Sequence, residues 1–350
     1  MEYVRVRDAA ILHANRLRRL FLEKLLENRF HLAHLPTPIQ FMPRLSDELG
    51  IQLYVKRDDL TESIGSGNKI RKLEYLLHDA IHQNADTLVS CGGIQSNHCR
   101  AVAWAAARNG LSCMLALRGE KPVEIEGNLL LDRILGADVR FFSVEDFKNI
   151  QDIENTVVDE LRRNGNRPYW IPMGGSNATG SLGYIQMIRE AAAFPVSFDH
   201  LYVALGSGGT FAGVWLGCHH AGIQPRIHGI AVCDDRAYFV AEISRIQREF
   251  QEVYGMKVDF EGIGQAIDDR HVGVGYALNT PSELEQLVHF ASCEGLVLDP
   301  VYTLKAFLGM VDHIRSGAVE KGQNVLFVHT GGHSGLFPKH SEFNKMSLFR

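Results

Sequence analysis

The chain has 350 residues, 45% apolar and 22% charged, an ordinary globular mixture that excludes wholesale disorder and low-complexity architecture and leaves room for two domains or one unusually large one. Lys plus Arg total 36 against 41 Asp plus Glu, a net charge of -5 without any long basic block, so nucleic acid is not an expected partner. No apolar run approaches the about 18 residues of a membrane span and no secretory apolar core opens the chain, so no membrane association is expected and the expected location is the cytoplasm.

In chain order, residues 1–27 read as an amphipathic helix; Glu2, Asp8, Glu23 and Glu27 argue against an acid-poor transit peptide, with organelle import as the lesser alternative. Strand Ile51–Lys56 is followed by helix Ile70–Gln83, strand Thr87–Ser90, helix Arg100–Arg108 and strand Cys113–Leu117. Helix Asn128–Leu135, strand Val139–Phe142, helix Ser181–Ala193, strand His200–Leu205 and helix Phe211–Ala221 come next. Strand Ile227–Val232, helices Tyr238–Tyr254 and Ser282–Ser292, and strand Val325–His329 complete the series. This alternation predicts an α/β protein built of βαβ units on a parallel sheet. The turn-forming stretch Gly174–Gly180 is the best candidate for a crossing between domains. Six cysteines without a CxxC pair, and 16 scattered histidines, give no metal motif and suggest reduced thiols.

Five segments carry chemistry. In Gly65-Ser66-Gly67-Asn68-Lys69 a glycine turn runs into a helix with Lys69 at the junction. The helix dipole, with Arg71 and Lys72 alongside, favours the neutral amine that forms Schiff bases with carbonyls; a solvated lysine is the plain alternative. Ser90-Cys91-Gly92-Gly93-Ile94-Gln95-Ser96-Asn97-His98 lies between a strand and a helix, where α/β folds bind ligands, although Ser96 and Asn97 would serve equally as an N-cap pair. Cys91 and Cys99 read as small core residues. Leu205-Gly206-Ser207-Gly208-Gly209-Thr210 can converge several N–H groups on one anion; it lacks the GK[ST] ending and the GxGxxG spacing, which disfavours ATP and NAD. Leu298-Asp299-Pro300-Val301-Tyr302-Thr303 and Phe327-Val328-His329-Thr330-Gly331-Gly332-His333 form polar rims, and Tyr276 sits in a Gly-Val-Gly-Tyr turn.

In combination, these segments meet the needs of pyridoxal 5'-phosphate: an aldehyde partner, a ring partner and an anion site. With Tyr54-Val55-Lys56-Arg57-Asp58-Asp59, Gly67 to Tyr75, Gly92 to Asn97 and Leu298 to Tyr302, the chain resembles, over about residues 30 to 340, the tryptophan synthase β-like (fold type II) enzymes that use this cofactor. More narrowly it resembles the branch of 1-aminocyclopropane-1-carboxylate (ACC) deaminase and D-cysteine desulfhydrase. The resemblance implies a two-domain fold of open, twisted, mostly parallel sheets with helices on both faces: a large cofactor-binding domain of residues 28–73 plus 181–350, a small domain of residues 74–180, and 1–27 as an extension. It implies a homodimer and a small amino-acid substrate.

By the same resemblance Lys69 is the Schiff-base lysine, Asn97 bonds the cofactor's ring oxygen, and Gly206, Ser207, Gly208, Gly209 and Thr210 hold its phosphate. Ser96, Asn97, Tyr276 and Tyr302 face the substrate; Lys69, Ser96, Tyr276 and Tyr302 are the catalytic candidates. ACC deaminases of this branch typically carry Glu after the second tyrosine and Leu before the C-terminal Gly-Gly, where this chain has Thr303 and Thr330. A carboxylate beside the pyridine nitrogen would keep it protonated and strengthen the electron sink for a difficult ring opening; a hydroxyl suits β-elimination of a good leaving group. The expected activity is therefore β-elimination from D-cysteine to pyruvate, hydrogen sulfide and ammonia. ACC deamination to 2-oxobutyrate and ammonia is the alternative within enzymes, and a non-catalytic cofactor or amino-acid binder the alternative outside them. No metal site is expected.

Overall fold

The computed structural model describes residues 20–346. In chain order they form α1 (residues 20–27), β1 (Ile39–Phe41), α2 (Pro43–Leu49), β2 (Gln52–Arg57), α3 (Asn68–His82), β3 (Thr87–Gly93) and α4 (Asn97–Arg108). There follow β4 (Ser112–Arg118), α5 (Gly127–Ile134), β5 (Asp138–Phe142), α6 (Ile150–Arg163), β6 (Pro168–Ile171), α7 (Ala178–Ala192), β7 (His200–Leu205) and α8 (Gly209–Ala221). The series ends with β8 (Arg226–Ala231), α9 (Arg236–Tyr254), β9 (Ile267–Asp268), α10 (Pro281–Glu294), α11 (Thr303–Arg315), β10 (Asn324–His329) and α12 (His340–Phe343). The expected helix over residues 1–27 lies outside the described residues as far as residue 19; over 20–27 it buries Leu22 and Leu26.

Two sheets organise the molecule. The six-stranded sheet has the order β1-β2-β10-β7-β8-β9 and is parallel except for β1, which runs antiparallel to β2. The four-stranded sheet, β5-β4-β3-β6, is parallel throughout. Period-two alternation along the strands sorts each sheet's residues onto two buried faces. On β7, Leu201, Val203 and Leu205 pack with α7, α8 and α9, whereas Tyr202 and Ala204 pack with α10 and α11. In the smaller sheet, Leu88, Leu115 and Leu117 meet α3, α4 and α5, and Val89, Cys91, Met114 and Ala116 meet Ile153 and Val157 of α6. Helices on both faces are what a parallel sheet requires, because neither face is left for water.

All the strands and helices expected from periodicity are present, with small shifts at their ends. The shift with functional weight is that α3, α4 and α8 begin two or three residues earlier than apolar spacing indicates, so Lys69, Asn97 and Thr210 sit within first helical turns. Seven elements are not evident from periodicity: β1, β6, β9, α2, α6, α11 and the four-residue α12. β1, β6 and β9 are very short, and β6 opens on a proline, tolerated at a strand's first residue. Along α6 only Ile153, Val157 and Val158 are buried, too thin an apolar stripe to stand out among charges. The start of α11 had read as a polar rim, and short α2 hides behind Pro43 at its first position.

Candidate active site

The carboxyl ends of β3, β7 and β10 and the first turns of α3, α4 and α8 converge on a cavity of about 370 Å³. Such crevices beyond strand carboxyl ends are where open α/β sheets bind ligands. Lys69, Ser96, Asn97, Gly206, Ser207, Gly208, Thr210, Tyr276, Tyr302 and Thr330 all line it.

Lys69 is the second residue of α3, and its Nζ lies 3.3 Å from the Gly174 carbonyl. Burial in this low-dielectric pocket disfavours the charged form and pulls its pKa down to about 8; Cys99 opposes the change weakly. Arg71 and Lys72 are both expected alongside this amine, and only Lys72 is there. Lys72 is near, its buried Nζ donating to the Gly174 carbonyl at 3.0 Å and to Ser176 Oγ at 3.2 Å, and burial followed by Lys69 holds it well below the ordinary lysine range. Arg71, two residues along a helix of 3.6 per turn, points to the opposite side and is engaged by Asp58 and Glu190. Desolvation, rather than neighbouring cations, is what favours the neutral amine of Lys69.

The turn from β7 into α8 passes through Gly208, whose φ of +84° only glycine adopts without strain. The opening N–H groups of an α-helix have no partner within the helix, so a turn of this kind can receive an anion. Opposite it, Gly174 (φ +69°) is packed so closely that a Cβ would come within 2.3 Å of Ser207 Oγ. Ser207 Oγ and Ser176 Oγ are hydrogen-bonded at 2.8 Å, and Asn68 Nδ2 donates to Thr210 Oγ1 at 3.1 Å. Gly209 does not line the cavity: its N–H is directed to Ser176 Oγ at 3.2 Å, so it supports the turn from behind.

Ser96 is the N-cap of α4, its side chain accepting from Cys99 N, and it lines the cavity as well, so the cap does not take it away from the site. Asn97 Oδ1 accepts from Asn128 Nδ2 at 2.9 Å and from Arg100 Nη1 at 3.3 Å. The Tyr276 and Tyr302 hydroxyls are 2.5 Å apart, and burial pushes both phenols above their ordinary range, so both stay protonated at neutral pH. Thr330 lines the cavity, while its carbonyl accepts from Asn68 N. Thr303 does not line it. Fully buried at the start of α11, its hydroxyl donates to Asp299 Oδ1 at 2.7 Å and its N–H to the same oxygen, capping the helix.

A family model described as pyridoxal-phosphate dependent enzyme matches residues 31–331. The bifunctional D-cysteine desulfhydrase/ACC deaminase of Arabidopsis thaliana, named as mitochondrial, is 40% identical over 91% of this chain and 81% of its own. D-cysteine desulfhydrase of Salmonella choleraesuis is 37% identical over 89% of this chain and 96% of its own. The crystal structure of an ACC deaminase homologue superposes with a TM-score of 0.83 at 39% identity, covering 92% of this chain and 97% of that one. The chain belongs to the pyridoxal-phosphate dependent enzymes. Its fold is that of the fold type II branch, its cofactor is pyridoxal phosphate, and it is a lyase of the deaminase and desulfhydrase group.

The cavity of this pyridoxal-phosphate enzyme fits the cofactor on its own chemistry. A desolvated lysine can meet the aldehyde, a glycine turn at a helix start can take a dianion, and the free Nδ2 of Asn97 can donate to a ring oxygen. Residues the sequence reading missed also line the wall: Asn68, Arg118, Phe147, Gly174, Cys233, Asp234 and Tyr238. Arg118 had a usable signal, because it ends strand β4 at the carboxyl edge, and its guanidinium now lies 5.9 Å from the Tyr276 ring centroid. In the sequence Gly174 stands out only as part of a candidate domain crossing.

Among the described residues, Asp59, His329 and His333 are grouped closely enough to hold a metal, but both nitrogens of His329 are engaged, Nε2 with the Val297 carbonyl and Nδ1 with Gly331 N. No described helix is long and apolar enough to cross a membrane.

Proposed function

We propose that the chain catalyses β-elimination from D-cysteine, which with one water gives pyruvate, hydrogen sulfide and ammonia. The observation that carries this reading is the character of the two positions flanking the family's ring site: Thr330 brings a hydroxyl to the cavity wall and Thr303 keeps its own hydroxyl on Asp299, so neither supplies a carboxylate. Bound pyridoxal phosphate supplies the electron sink for the pair left when Cα loses its proton. The chain's own groups handle the protons. Lys69 Nζ, with its pKa near 8, is poised to hold the cofactor and then to accept the Cα proton. Of the protonated phenols of Tyr276 and Tyr302 one donates to the other, which leaves one O–H to protonate the departing sulfur, and Ser96 offers a hydroxyl to the substrate carboxylate. Gly206, Ser207, Gly208 and Thr210 take the phosphate, with Gly209 shaping the turn.

Deamination of ACC is the second reading, favoured by a relative named for both activities and by a structural neighbour named as an ACC deaminase homologue. The division into residues 28–73 plus 181–350 and residues 74–180 is part of the proposal, supported by the two sheets, whose strands fall on either side of it; so is a homodimer, to be tested by sedimentation.

The deciding experiment is a keto-acid assay of cofactor-loaded protein with D-cysteine, L-cysteine and ACC in parallel. Pyruvate with sulfide from D-cysteine and no 2-oxobutyrate from ACC is expected; 2-oxobutyrate at a comparable rate would establish the second reading. Lys69→Ala should lose turnover and the absorbance of lysine-bound cofactor, and retention of both would remove Lys69 from the chemistry.

A further inference from the structure

We propose that Arg100 and Asn128 are positioning residues that fix the direction of the Asn97 side-chain amide, so that only its NH2 faces the cavity. The inference rests on the reading that Asn97 meets the cofactor's ring oxygen. It starts from the fact that a guanidinium only donates hydrogen bonds and a main-chain carbonyl only accepts them. Arg100, buried on α4, donates through Nη1 to Asn128 Oδ1 at 2.7 Å, so the oxygen of Asn128 must face it. Asn128 Nδ2 must then face the other way, and it does, donating to the Gln95 carbonyl at 2.9 Å. These are two independent constraints on one amide, and they agree. The same Nδ2 donates to Asn97 Oδ1 at 2.9 Å, and Arg100 Nη1 adds a second donor to that oxygen at 3.3 Å. With two donors on its oxygen, Asn97 can present only Nδ2 to the cavity, and no described residue accepts from it there.

Arg100 is itself held in place by acceptors from both flanks of the cavity. Its Nη2 donates to the Ser66 carbonyl at 3.0 Å, just ahead of the helix that carries Lys69, and Nη1 donates to Ser334 Oγ at 3.1 Å, beyond β10. The polarity of the chain Arg100, Asn128, Asn97 is thereby tied to the loops that shape the site. A donor-only contact favours the ionised form of an oxygen it meets. Arg100 and Asn128 therefore act on the cofactor without touching it: they keep its ring oxygen anionic, the form that supports the visible absorbance of lysine-bound cofactor.

Asn128→Asp is the decisive variant. An aspartate retains an acceptor for Arg100 but presents a second acceptor to Asn97, which turns the Asn97 amide over and puts its oxygen toward the cavity. At fixed pH, the ratio of visible to near-ultraviolet absorbance of bound cofactor should fall at least threefold, and cofactor affinity, measured by titration of the apoenzyme, should weaken by about tenfold. Asn97→Ala should do the same, and the double variant should be no worse than either single one. An unchanged ratio in Asn128→Asp, or an effect that adds in full to that of Asn97→Ala, overturns the proposal. If Asn97→Ala itself changes neither quantity, the contact between Asn97 and the ring oxygen is wrong and the proposal falls with it. Neutron diffraction of the unaltered holoenzyme gives a readout that needs no variant: deuterium on the cavity-facing atom of Asn97 supports the proposal, and its absence there overturns it.

Discussion

Lys69 shows at the scale of one residue how function is set against stability. Its pKa in the folded protein is about 8, below the 10.5 of a free lysine, because burial penalises the ammonium. The folded chain therefore binds fewer protons than the unfolded one between those two values, and stability rises with pH across that window. Below pH 8 the penalty is present in full, on the order of 2 kcal/mol once water in the cavity is allowed for. Apoenzyme with Lys69→Met is expected to melt a few degrees above the unaltered apoenzyme at pH 7, with the difference closing above pH 10, as followed by circular dichroism. The same pKa makes cofactor capture faster as pH rises toward 8, with a plateau above it; stopped-flow absorbance checks this, and a flat profile between pH 6 and 8 would remove the neutral amine from the account. The lysine was visible in the sequence as a charge misplaced at a helix start. Its environment was not, since Gly174 lies 105 positions further along the chain.

At the scale of elements, the site is made of turns that admit no side chain. Gly174→Ala adds a Cβ 2.3 Å from Ser207 Oγ at a φ of +69°, so both the turn before α7 and the turn before α8 must shift. Cofactor affinity should fall at least tenfold while far-ultraviolet dichroism keeps its native shape, because the helices themselves are anchored elsewhere. Gly206→Ala should act differently. Its Cβ meets Tyr302 Cε1 at 3.0 Å, and displacing that ring should slow turnover more than it weakens cofactor binding, a split visible in kcat against the cofactor titration. The glycine turn before α8 was legible because its residues are contiguous and follow an apolar strand. The opposing turn was legible only as a turn, since nothing in Gly174-Gly175-Ser176 says which loop it will face.

At the scale of the molecule, one buried charge cluster joins β2, α3 and α7. Arg71 donates to Asp58 Oδ1 and Oδ2 and to both oxygens of Glu190; Lys56 Nζ donates to Glu190 Oε2 at 2.6 Å, and Tyr184 OH donates to Asp58 Oδ2 at 2.7 Å. Removing one partner leaves uncompensated buried charge, so Glu190→Ala should cost about 3–5 kcal/mol and lower the melting temperature by roughly 10 °C, whereas replacing Glu190 and Lys56 together by apolar residues should recover much of the loss. Asp58 is held below the usual carboxylate range despite burial, by Arg71 first and then Lys56 and Tyr184. Its contribution is therefore present above the ordinary aspartate pKa and lost as pH falls through the folded value; Asp58→Asn should flatten the acid limb of the stability curve.

Local pattern alone was enough for the α/β class and for the strands and helices with strong period, because each is written in contiguous residues whose propensity and spacing agree with the final fold. It marks Lys69 and the glycine turn before α8 as candidates, whose roles toward the cofactor belong to the proposed function. What sequence could not decide is everything that depends on which surfaces meet. Arg71 left the site because helical geometry turns it toward Asp58 and Glu190; Thr303 withdrew because Asp299 takes its hydroxyl; Arg118 and Asp234 joined because two sheets bring separate strand ends to one cavity. Hydrogen-bond direction belongs to the same class. That Asn97 can only donate to the cavity follows from Arg100 and Asn128, and the second of these is 31 residues away in sequence but in contact in space. Partners of this kind are fixed by packing between distant segments, which composition and periodicity do not encode.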